Sequence, residues 1–112
     1  MTTIAAGSQV MTAITFYTVA PERQQELVDL LIRAAKTVRR QSGFISFNVH
    51  KSLDKTHVVS YTQWESRQAF DEALQDASVI PFVQAVLKLA TFEPHLYEVV
   101  AVIHKEVDEE RS

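Results

Sequence analysis

Two short stretches hold the residues whose types and spacing can do chemistry. The first reads Ser60-Tyr61-Thr62-Gln63-Trp64-Glu65-Ser66-Arg67-Gln68-Ala69-Phe70. On a strand's period of two, Ser60, Thr62 and Trp64 share one face, and Tyr61, Gln63 and Glu65 share the other. Trp64 stands just ahead of Ser66, a residue type that caps helices, so Phe70 falls in the first turns of a helix. A large indole and a small hydroxyl on one face, with an aromatic ring overhead, can line an apolar pocket holding a few polar groups, as ligand sites usually do. The same residues also suit corner packing of a tryptophan at a strand end, and the pattern alone leaves both readings open. The second stretch is Asn48 to His50. Asn48 and His50 are candidates for handling protons beside such a pocket, His50 because an imidazole titrates near neutrality. Tyr61 is a further polar candidate.

Other chemistries find little support. Of the four histidines, His50 and His57 flank a turn, but only Asp54 lies near them in sequence, so no metal site is expected. Glu65, Glu93 and Glu98 show no spacing that marks a catalytic carboxylate pair. The chain has no cysteine, which excludes thiolate nucleophiles, disulfides and Cys-bound metal clusters. Its two glycines cannot make a dinucleotide fingerprint or a phosphate loop. No cofactor motif is present.

The elements that must position these residues follow from periodicity. Residues 10–19 are β-branched and aromatic, with Ile14 and Phe16 on one face and Ala13, Thr15, Tyr17 and Val19 on the other, which predicts a strand. Pro21 suits a first helical turn, and Leu27, Leu30, Leu31, Ala34, Ala35 and Val38 follow at helical spacing. Gly43 is the expected left-handed stop, so this helix spans residues 21–41. Strands are predicted over residues 44–51 and 57–65, joined by a polar turn. Short helical stretches follow Ser66 and Ser78, the latter with Val79, Phe82, Val83, Val86, Leu87 and Ala90 on its apolar side. A last strand is expected over residues 95–104, apolar on both faces. The order is β-α-β-β-α-β: an α+β, ferredoxin-like fold with a four-stranded antiparallel sheet.

This predicts one domain over residues 10–104, between a loose N-terminal arm (1–9) and a charged C-terminal tail (105–112) with four acidic against two basic residues. The arm has no basic or apolar leader character, and no apolar run approaches the ~18 residues of a membrane span. A cytoplasmic location without membrane contact is expected. A net charge of −3 gives no footprint for nucleic acid, and Arg33, Lys36, Arg39 and Arg40 read as a solvated helix face. The 46% apolar content is high for a domain of 112 residues. Two helices cover one sheet face, whereas residues 97–103 make the other face apolar as well. A homodimer joined sheet against sheet is the simplest cover.

The segment Tyr61 to Phe70 resembles the antibiotic biosynthesis monooxygenase family, marked by an apolar strand running into W-x-S-x-x-A/E-F/Y. It is most similar to the actinorhodin-type anthrone monooxygenases, with Y-x-Q-W-E-S-x-Q-A-Y. The helix opening after Pro21 and the stretch Ser42-Gly43-Phe44-Ile45-Ser46 agree with the family, so the likeness covers residues 10–103. The resemblance implies a dimeric α+β barrel. It also implies oxidation of a small aromatic substrate by molecular oxygen, with no metal, flavin or haem. Trp64 matches the family's pocket tryptophan. Ser60 stands where the anthrone enzymes have asparagine, and Phe70 where they have tyrosine; phenylalanine can neither donate a hydrogen bond nor a proton. The haem-degrading relatives need a histidine in the helix after the tryptophan, and residues 71–77 hold none.

The expected function is therefore a cofactor-independent monooxygenase acting on a phenol, anthrone or quinol. Its expected catalytic residues are Trp64 and Ser60, and its pocket is expected from Trp64, Phe70, Asn48, His50 and Tyr61. The second reading is a non-catalytic dimeric αβ-barrel that binds a small hydrophobic ligand or serves as a stress or assembly module.

Overall fold

A computed structural model describes residues 10–106. Strands β1 (Met11–Val19), β2 (Phe44–Lys51), β3 (His57–Trp64) and β4 (Ala90–Glu98) form one antiparallel sheet in the order β2-β3-β1-β4. Helices α1 (Gln24–Val38), α2 (Arg67–Leu74) and α3 (Ile80–Leu89) pack on one face of it. This is the expected ferredoxin-like arrangement, with the second helical layer split in two. A 3₁₀ turn, Pro21–Arg23, leads into α1, whose buried Leu27, Leu30, Leu31, Ala34 and Val38 are the stripe that the spacing predicts. Each such leucine contributes roughly 1.5–3 kcal/mol by leaving water.

Local chemistry explains where the elements stop and start. The α1–β2 turn places Gly43 at φ 81°, the left-handed region. The Ser66 hydroxyl accepts from the Ala69 N–H at 3.1 Å and opens α2. In the β2–β3 hairpin the Asp54 carboxylate accepts from the Ser52 hydroxyl and from the Thr56 N–H and hydroxyl, which together hold its pKa at about 2. Gln24, buried on α1, donates to the carbonyls of Ser52 and His57 and ties this hairpin to the helix.

The largest departure from expectation is β4. It runs from Ala90 to Glu98 and pairs with β1 from Val19↔Ala90 to Met11↔Glu98. Pro94 discourages a strand reading of this stretch, but β4 lies at the sheet edge, where a missing N–H is tolerated. Ala90 therefore starts the strand rather than ending a helix, and Leu87 faces solvent. Residues 99–103 are not part of the last strand. They continue beyond the ladder, with Val100 79% and Ile103 91% exposed. The arm (1–9) lies outside the described residues, as does the tail beyond residue 106. Among the described residues no helix is long and apolar enough to cross a membrane.

Candidate active site

Sheet register decides which candidate residues can meet. β1 and β3 pair as Met11↔Trp64, Ala13↔Thr62, Thr15↔Ser60 and Tyr17↔Val58, so these residues share the helix-covered face. On β2, Phe47 pairs with Thr62 and Val49 with Ser60, and both belong to that interior. A register shift between Phe44 and Ser46 carries Phe44 to the same side, opposite Trp64. Simple alternation assigns Phe44 to the other face, and the bulge is why it fails.

Trp64 is 2% exposed and enclosed by rings. Phe44 meets it edge-on at 5.4 Å and Phe70, from α2, at 5.9 Å. Its indole N–H donates to the Thr62 hydroxyl at 2.9 Å, so the polar end of the indole is already engaged. Ser60 is 3% exposed. Its hydroxyl bonds the phenol of Tyr17 at 2.9 Å, and the Thr15 side chain also acts on that phenol. Burial pushes the Tyr17 pKa above its ordinary value, against the lowering pull of Ser60 and Thr15, so the phenol stays protonated.

These hydroxyls fall where the apolar core is interrupted. One buried cluster gathers Val19, Leu27, Leu30, Leu31, Val58 and Val86 with the Tyr17 ring. A second gathers Met11, Ala13, Val38, Trp64, Ala73 and Val79. Ser60 and Thr62 sit between them along β3. Ser60 and Trp64 are four residues apart on one strand face, a span of about 13 Å.

The structure does not bring all the sequence candidates together. Trp64, Ser60 and Phe70 face the interior, whereas Asn48, His50 and Tyr61 lie on the opposite, helix-free face, so one pocket cannot hold both groups. There the Asn48 amide donates to the Ser46 hydroxyl and the Tyr61 carbonyl, and His50 stacks on the Tyr61 ring at 6.3 Å. Ser46 donates in turn to the Gln63 amide oxygen at 2.8 Å. His57 sits beside Thr56 and Asp54 at the hairpin tip. An open groove of about 450 Å³ near Val19, Leu87 and Thr91 lies at the opposite end of β1 from Trp64 and holds none of the candidates.

Tyr17 falls on the predicted face but its spacing does not single it out, because its partner is 43 positions away and only the β1–β3 register brings the two hydroxyls together.

Comparison with known proteins agrees with this architecture. The family model described as antibiotic biosynthesis monooxygenase matches residues 10–85. Tetracenomycin-F1 monooxygenase of Streptomyces glaucescens is 32% identical over 100 residues, which span 88% of this chain and 89% of that protein. SnoaB of Streptomyces nogalater, described as a cofactor-independent oxygenase, superposes with a TM-score of 0.79 at 25% identity, covering 88% of this chain and 100% of its own. A conserved protein of Methanosarcina mazei, at 15% identity and a TM-score of 0.73 over 80% of this chain and 92% of its own, shares the fold. By the family model, the curated relative and the fold together, the chain belongs to the antibiotic biosynthesis monooxygenase family.

Proposed function

We propose that this monooxygenase works without a cofactor, oxidising an aromatic phenol, anthrone or quinol with molecular oxygen, as a cytoplasmic homodimer. The observation that carries the reading is the band of hydroxyls breaking an otherwise apolar interior, with the Trp64 indole walling one end. An interior patterned in this way suits a flat, largely apolar molecule with a few oxygens. SnoaB's description as cofactor-independent supports the same reading.

For an anthrone the chemistry balances as follows. The ring CH₂ loses a proton, and the carbanion gives one electron to O₂. The radical pair then forms a C–O bond, and the peroxide O–O bond breaks with loss of water. The net result is CH₂ plus O₂ giving C=O plus H₂O. In this scheme Trp64, braced by Phe44 and Phe70, fixes the ring plane, and the closed interior keeps bulk water from the carbanion. Ser60 supplies a polar contact. The buried polar side chains of the described interior are hydroxyls and amides, so the substrate's own acidity sets its ionisation.

Two measurements follow. Oxygen uptake with dihydroxyanthrone and a hydroquinone panel in chelator-treated buffer is expected to show turnover, and uptake no faster than in protein-free buffer would overturn the enzymatic reading. Across substrates of different acidity, the midpoint of the kcat/KM pH profile is expected to follow the substrate's pKa; a midpoint indifferent to substrate would point to an enzyme base instead.

The dimer reading rests on the helix-free face. Phe16 is 45% exposed there, alongside Ile14, Tyr61, His95 and Tyr97, and the apolar residues 99–103 run on beyond the sheet. Light scattering at micromolar concentration is expected to give twice the 12.7 kDa of one chain, and Phe16→Glu is expected to halve that mass. A single-chain mass for the unaltered protein would overturn the dimer. Phe70, which has no hydroxyl, favours the second reading, a non-catalytic aromatic-binding barrel. Ligand binding without oxygen uptake would establish it.

A further inference from the structure

We infer that protonation of His50 releases the sheet-to-sheet pairing of two copies of this chain, which makes the homodimer acid-sensitive. The inference rests on the dimer reading above and adds to it the control of that interface by pH.

The charge pattern of the helix-free face carries the argument. Among the strand residues that the register places there, none is lysine or arginine, and Glu93 is the sole carboxylate. Three of the chain's four histidines lie on this same face: His50 on β2, His57 on β3 and His95 on β4. With neutral imidazoles the face is almost free of charge, as the core of an interface requires. A twofold pairing sets the face against its own copy, so every charge gained is gained twice with the same sign. A second copy is therefore the occupant that this face suits at neutral pH and repels in acid.

Neighbouring groups single out His50. The His57 Nδ1 lies 4.0 Å from the Asp54 carboxylate, whose pKa of about 2 keeps it ionised throughout. The His95 Nε2 lies 3.5 Å from Glu93. Each of these rings has an anion at hand to offset its proton. Among the described residues no carboxylate pairs with His50. Its ring stacks on Tyr61 at 6.3 Å and 13°, and Val59 faces it across the ladder with His57 diagonal to it. Lys51, the next residue, turns to α1, where its ammonium donates to Gln25. The row of His50 and Val59 continues to Phe16, the exposed ring at the heart of the face, so a copy seated on Phe16 reaches His50 as well. In the free chain a protonated His50 has water on one side and the Tyr61 ring on the other, a favourable setting for a cation. Covered by a second copy, it loses the water and gains no counter-charge, so the paired state favours the neutral ring. Two free chains then hold more protons than the dimer, and association weakens as pH falls through the range where imidazoles titrate. A tenfold preference for the neutral ring at each of two sites weakens association by up to about 100-fold.

Sedimentation equilibrium over a micromolar concentration series reads the dimer dissociation constant, with circular dichroism checking that each sample is folded. Between about pH 7.5 and about pH 5.5 the constant is expected to rise at least tenfold for the unaltered protein. His50→Gln, a neutral amide, is expected to stay dimeric and to lose most of that rise, whereas His57→Gln and His95→Gln keep it. His50→Lys places a permanent charge at the same point and is expected to weaken the dimer at least tenfold at the higher pH, which tests the charge without acid. Should acid unfold the chain, His50→Lys alone decides. A dimer of unchanged strength in acid, a rise that persists in full in His50→Gln, or a His50→Lys dimer as tight as the unaltered one overturns the inference and leaves the dimer reading standing. A single-chain mass for the unaltered protein at both pH values overturns the dimer reading and the inference with it.

Discussion

Trp64→Ala is expected to cost about 3–5 kcal/mol of folding stability, the range for deleting a large buried aromatic, and to abolish turnover. The side chain is almost wholly buried, and its removal strips the edge contacts with Phe44 and Phe70 and the donor that serves the Thr62 hydroxyl. A domain of this size has only about 5–15 kcal/mol in hand, so the variant sits near the unfolding threshold. Loss of activity in it therefore cannot separate catalysis from folding. Trp64→Phe can. The ring remains to meet Phe44 and Phe70, and the loss reduces to some indole area and the bond to Thr62, about 1–2 kcal/mol. Urea unfolding is expected to return those two magnitudes in that order. If Trp64 fixes the substrate plane, Trp64→Phe still lowers kcat/KM at least tenfold while remaining folded, because an error of about 1 Å in orientation costs of order 100-fold. Full activity in a folded Trp64→Phe would reduce the tryptophan to a packing residue.

Why some of this was legible in the residues and some was not comes down to the range of the interactions. The α1 stripe and the Ser66 cap are settled within a few residues and stand where their patterns predict, and Gly43 is left-handed as expected, although α1 already ends at Val38 and Gly43 turns the chain into β2 instead of stopping the helix. The interior facing of Ser60, Thr62 and Trp64 follows from a period of two, which holds while a strand stays regular. The bulge at Phe44 breaks that condition and moves an aromatic ring onto Trp64. Asn48, His50 and Tyr61 are near Trp64 along the strands, but a pleated sheet separates its two faces and places them on the side away from the indole. The Tyr17–Ser60 bond and the start of β4 depend on ladder register, a property of the whole sheet. Residues 97–103 are rich in apolar side chains, but β1 begins at Met11, so its antiparallel ladder with β4 stops at Glu98 and most of those residues lie past it.

Gly43→Ala tests how tightly the site depends on the junction of α1, β2 and α2. Two separate penalties apply. The left-handed φ of 81° costs a residue with a Cβ about 1–2 kcal/mol. The added methyl would also stand 2.5 Å from the Ala69 Cβ, a contact that no rotamer change relieves because both atoms are fixed to backbone. Overpacking of this kind costs about 1–3 kcal/mol, so a total loss of about 2–5 kcal/mol is expected in urea unfolding. A double-mutant cycle separates the two terms. Ala69→Gly in the Gly43→Ala background removes the clash but not the strained φ, so a favourable coupling energy of about 1 kcal/mol or more is expected, and additivity would remove the steric account. The functional consequence follows from what the helix carries. Ala69 precedes Phe70, whose ring meets Trp64, and the Glu65 N–H donates to the Gly43 carbonyl at 2.8 Å directly after Trp64. If α2 moves aside to admit the methyl, Phe70 is drawn off the indole. Gly43→Ala is therefore expected to shift the Trp64 emission and lower turnover even where the protein remains folded, and the Ala69→Gly partner should restore both.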